Sequence, residues 1–108
     1  MKLKLEHFII LVIVWLYPSF SNSYDLIRIM NRYFDMFEIE DNYDVLVENQ
    51  YLFREEINKI GYYTITCKGE KIIVENKEMI LFESRNKFKN QTEFLENVLN
   101  KFILKANS

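Results

Sequence analysis

The most constraining feature of the chain is an uncharged run near its start. Phe8 to Phe20 reads FIILVIVWLYPSF, thirteen residues without a charge. Lys2 and Lys4 precede it, and Ser21-Asn22-Ser23 follow with small residues at the −3 and −1 positions of a cut before Tyr24. A basic start, a short apolar stretch and a small-x-small exit together predict a secretory signal peptide over residues 1–23. As a helix the run is about 20 Å long, short of the roughly 30 Å hydrocarbon core of a bilayer. Pro18 suits the end of a leader helix better than the middle of a membrane span. The expected product is secreted and extracellular. It is one small domain, residues 24–108, with no membrane attachment after leader cleavage. A retained leader anchoring a membrane accessory protein is the alternative.

Composition then bounds the remainder. Of 108 residues, 49% are hydrophobic and 28% charged, which excludes a disordered or low-complexity chain. The formal net charge of −2 gives no drive toward nucleic acid. Residues 24–56 carry 3 basic and 9 acidic side chains, and residues 57–108 carry 9 basic and 6 acidic. Such halves attract each other within one fold. With a single Cys, no internal disulfide supports so small a domain, which must rely on packing or on a partner chain.

The periodicities predict an α+β domain. Leu26, Met30, Tyr33 and Phe37 share one stripe of a helix over 24–38. The acidic, cap-rich Glu38–Asn42 reads as a turn into a second helix, about 43–60, stopped by Gly61. Alternation over Tyr62–Cys67, a turn at Lys68–Glu70, the continuous apolar run within Lys71–Glu75 and a third segment Glu78–Ser84 predict a three-stranded antiparallel β-meander. A C-terminal amphipathic helix, about 91–105, carries Phe94, Leu95, Val98, Leu99, Phe102 and Ile103 and is expected to pack on that sheet.

The chemistry is bounded chiefly by what is missing. The only histidine, His7, lies in the leader, so the processed chain has no His base, nucleophile activator or His metal ligand. Cys67 has no second Cys for a redox or zinc pair. Glu40, Asn42 and Asp44 have the spacing of a calcium loop. Val45 occupies the position that requires Gly, however, and Tyr51 the position of the bidentate Glu. No catalytic residue, cofactor or metal is expected. The reading is a non-catalytic binding protein with an unknown protein partner and no nucleic acid. A carrier of a small apolar ligand is its alternative.

Three features remain as candidates. Asn90-Gln91-Thr92 is a sequon that would place an N-glycan on Asn90 in a eukaryotic secretory pathway. Cys67 is expected on a strand, as a buried small hydrophobe or as half of an intermolecular disulfide in a homodimer formed along the Tyr62–Cys67 edge. Lys77, Arg85, Lys87 and Lys89 are expected to gather as a patch for an anionic partner, with Phe88 among them.

Overall fold

A computed structural model describes residues 3–18, 22, 24, 25, 28, 39–87 and 92–108. Among them the chain is α+β, with five helices and one two-stranded antiparallel sheet. The order is α1 (Leu5–Leu16), α2 (Ile39–Glu48), β1 (Leu52–Ile57), β2 (Ile60–Ile65), α3 (Cys67–Glu75), α4 (Lys77–Lys87) and α5 (Thr92–Ala106).

The apolar run at the start of the chain becomes α1, and α1 is the centre of the molecule. It touches β2, α2, α3, α4 and α5. Every residue from His7 to Val14 is buried, so the helix has no solvent face. That follows from its sequence: a helix apolar all round must be enclosed, by protein or by lipid. Its first turn is closed by His7, whose Nδ1 accepts the Lys4 backbone N–H at 2.9 Å.

Residues expected as one helix over 43–60 instead form α2, a turn and β1. Gln50 adopts a left-handed conformation at φ 65°. Its N–H donates to the Val47 carbonyl at 3.0 Å and the Tyr51 N–H to the Leu46 carbonyl at 2.9 Å. This is a Schellman stop built without glycine. β1 then pairs with β2 through Asn58-Lys59, both at positive φ (52° and 67°), the signature of a type I′ turn. Ile57 faces Ile60, Arg54 faces Tyr63 and Leu52 faces Ile65.

The expected meander is corrected as well. Only its first strand is a strand, as β2. Lys71–Glu75 and Glu78–Ser84 are helical, within α3 and α4. The Thr66 hydroxyl accepts the Gly69 N–H at 3.0 Å and so starts α3, where β-branched Ile72, Ile73 and Val74 had suggested a strand. In α4, Ile80 and Ser84 are the buried pair, four residues apart on one helical face. Glu78 in its first turn and Arg85 and Lys87 in its last suit the helix dipole.

α5 carries the expected stripe, with Leu95, Val98, Leu99 and Phe102 buried. Its partners are α1 and α4 rather than a sheet. Of the helix expected over 24–38, Tyr24, Asp25 and Arg28 are helical, and its other residues lie outside the described ones.

Candidate functional site

The elements around α1 together line a socket that this helix fills. Each element touching α1 contributes buried side chains to the core. These are Tyr63 from β2, Tyr43 and Leu46 from α2, Ile73 from α3, Ile80 from α4, and Leu95, Val98, Leu99 and Phe102 from α5. The aromatics are ordered within this socket. The rings of Tyr43 and Tyr63 lie 4.7 Å apart at 33°, and Trp15 of α1 meets Phe102 edge-on at 6.2 Å.

Two hydroxyls inside the core, Tyr43 Oη and Ser84 Oγ, have no hydrogen-bond partner among the described residues. Burial raises the Tyr43 phenol far above its ordinary pKa, and the neighbouring Tyr63 adds to the rise. The phenol is therefore neutral near neutral pH.

Polar groups gather at the start of α1. Glu6 is ion-paired with Lys87 of α4. Burial acts to raise the Glu6 carboxyl pKa, but the Lys87 hydrogen bond, a backbone hydrogen bond at Glu6 and the charges of Lys87 and His7 together outweigh it and hold the group below its usual value. His7 is pushed down, first by burial and then by the charge of Lys4. Glu6 and a hydrogen bond with Asn42 act in the opposite direction. Beside this pair is a shallow cavity of about 410 Å³, bordered by Lys4, Leu5, Glu6, Glu83, Asn86 and Lys87. Its carboxylates and ammonium groups neutralise one another, leaving no excess charge to select an anion.

The residues singled out in the sequence fall in separate places. Asn90 and Lys89 lie outside the described residues. Cys67 is an exposed free thiol at the first position of α3, not a buried strand residue. Lys77 is at the start of α4, where its Nζ donates to Asn107 Oδ1 at 2.6 Å. Arg85 donates to both carboxylate oxygens of Glu96, at 3.1 and 3.2 Å. With Lys87 engaged by Glu6, the three described members of the expected basic patch each face an acidic or amide partner. Asn42, Asp44 and Val45 sit within α2, a helix and not a calcium loop. No cluster of three metal-ligating side chains occurs among the described residues, and none of their helices is long and apolar enough to cross a membrane.

One feature escaped the sequence reading. Phe53 (60% exposed) and Ile57 (47%) project from β1 beside Glu55, on the solvent face of the hairpin. Their i, i+4 spacing also fits the helix expected over 43–60. In a strand, the same spacing places them on one face.

No family model, curated protein or solved structure matches this chain.

Proposed function

We propose that this chain is a secreted, non-catalytic binding protein, and that its partner presents an apolar helix to the socket around α1. The observation supporting this reading is that a helix apolar on every side sits among five elements, each of which contributes buried side chains around it. A cut after Ser23 removes that helix and leaves Tyr43, Leu46, Tyr63, Ile73, Ile80 and the α5 stripe without their cover. Apolar surface on that scale needs a new occupant, and an amphipathic or apolar helix laid into a groove is a recurrent solution. In this reading the leader has two successive roles. It directs export, and until it is cut it fills the socket.

The test is N-terminal sequencing combined with native mass spectrometry of the protein recovered from the medium of its native cells. The expected result is a chain beginning at Tyr24 with a polypeptide partner retained. Recovery of protein that begins at Met1 and carries nothing overturns the reading. A lipid-sized adduct in place of a polypeptide moves it to the carrier of a small apolar ligand.

A further inference from the structure

We propose that the outer edge of β1 pairs antiparallel with the β1 edge of a second copy of this chain. The inference rests on the hairpin of the uncut chain, in which Asn22 is present, and not on the occupant of the socket. A two-stranded sheet has two edges. On the β2 side Asn22 of the uncut chain forms a bridge with Tyr62, so the edge expected from the sequence is met within the chain at its Tyr62 end. On the β1 side no other strand pairs among the described residues. β1 is exposed along its length after Leu52.

The turn decides which groups face outward. In a two-residue type I′ hairpin the residues flanking the turn, Ile57 and Ile60, form a hydrogen-bonded pair. Hydrogen-bonded pairs then alternate, so Phe53, Glu55 and Ile57 direct their N–H and C=O groups at β2. Leu52, Arg54 and Glu56 direct theirs outward. A second copy must therefore pair outward residues with outward residues, which permits few registers.

Side-chain chemistry selects among these registers. With Arg54 opposite Arg54, Phe53 falls opposite Glu55 and Leu52 opposite Glu56, so a like-charge pair joins four apolar–acidic ones. Shifted to place the two-fold axis at Glu55, the strands set Arg54 of each copy opposite Glu56 of the other. Phe53 then lies opposite Ile57, twice, at the closer non-hydrogen-bonded sites. Both apolar side chains are exposed in the single chain. Arg54 and Glu56 already attract each other along the strand at 3.6 Å, so pairing two copies makes a four-charge network of alternating sign. The one unfavourable contact is Glu55 opposite Glu55 on the axis. It identifies the register, because removing that charge must strengthen the pair.

The experiment is sedimentation velocity of the full chain under reducing conditions, which exclude a Cys67 disulfide. It is run from 1 to 200 µM for the wild type, Arg54→Glu, Glu56→Arg, the double charge swap and Glu55→Gln. Wild type is expected to dimerise within that range. Each single swap weakens the dimer about tenfold, the double swap restores it, and Glu55→Gln tightens it about two- to fivefold. A wild type that stays monomeric at 200 µM overturns the proposal, as does a dimer indifferent to Arg54→Glu. If circular dichroism shows that Arg54→Glu loses the hairpin, Glu55→Gln decides. An unchanged or weakened dimer in that variant overturns the pairing.

Discussion

The only tryptophan of the chain, Trp15, meets Phe102 with ring centroids 6.2 Å apart and planes at 72°. One ring belongs to the last turn of α1 and the other to α5. The Lys105 ammonium lies 4.7 Å from the Trp15 ring centre, and its Nζ donates to the Trp15 carbonyl at 3.1 Å. Tryptophan fluorescence of the full chain therefore reports how the N-terminal helix is seated.

Phe102→Ala is expected to cost about 3–5 kcal/mol, because a fully buried ring leaves a cavity beside α1. The Trp15 emission should shift to longer wavelength in the variant before any denaturant is added. Denaturant titration followed by both fluorescence and circular dichroism measures the two effects together. A loss under about 1 kcal/mol with unchanged emission would place α1 elsewhere.

His7 makes the uncut chain sensitive to mild acid. Its pKa in the folded state lies below the ordinary value of about 6.5, because burial disfavours the charged ring. Below that pH the unfolded chain takes up a proton that the folded chain resists. Stability is therefore present above about pH 6.5 and lost as pH falls toward the folded value, with a slope of at most about 1.4 kcal/mol per unit. Glu6, also held below its ordinary value, adds its own loss only at lower pH. Urea midpoints at pH 7, 6 and 5 should fall in the wild type and stay flatter in His7→Gln over the same interval. Equal slopes in the two proteins would mean that the ring is solvated.

The elements legible in the sequence were those whose side chains repeat at one period. The α5 stripe is such a case, because its buried face follows from Leu95, Val98, Leu99 and Phe102 alone, although its partners are α1 and α4 and not the expected sheet. α1 was legible as an apolar helix. Its place at the centre was not, since an all-apolar helix suits a core and an export channel equally. The hairpin was hidden by its own chemistry. Its turn uses Asn58-Lys59 where a glycine would have marked it, and α2 is stopped by Gln50 where glycine is usual. The misread strands at Lys71–Glu75 and Glu78–Ser84 have a common cause. Short apolar runs with β-branched residues fit either period, and the Thr66 cap that commits α3 depends on a contact with a distant turn. The partners of the expected basic patch were hidden because adjacency in sequence says nothing of Glu96 and Glu6, which approach only in the fold.

Gly69 should prove irreplaceable although it lies in a helix. In an exposed helix, Gly→Ala gains up to about 1 kcal/mol. Here an added Cβ would overlap the Tyr51 carbonyl oxygen and crowd Ile65 Cγ1 at 2.8 Å. That backbone oxygen is fixed, because it accepts the Thr66 N–H at 3.1 Å. Overpacking of this kind costs about 1–3 kcal/mol, so the steric effect outweighs the propensity gain. Gly61→Ala is the comparison, since the Cβ there meets only the flexible end of Arg54. Thermal melts should show a clear loss for Gly69→Ala and a small change for Gly61→Ala. A stabilised Gly69→Ala would refute the close approach of α3 to the α2 turn.

The hairpin turn offers the opposite sign. Lys59 sits at φ 67°, where a side chain costs about 1–2 kcal/mol. Asn58, at φ 52°, tolerates the same region through its short polar side chain. Replacing Lys59 by Gly removes the steric cost but gives the unfolded chain about 0.4–1 kcal/mol more conformational freedom. The difference leaves a net gain of roughly 0.5–1 kcal/mol, and it creates the Asn-Gly pair that type I′ turns favour. Lys59→Ala keeps the Cβ and should gain nothing, which separates the backbone effect from loss of the lysine charge. Urea denaturation of the three proteins measures the differences, and amide exchange at Tyr62 and Thr64 places them in the hairpin. If glycine and alanine behave alike, the turn does not hold Lys59 in the left-handed region, and the assignment of Leu52, Arg54 and Glu56 to the outer edge falls with it.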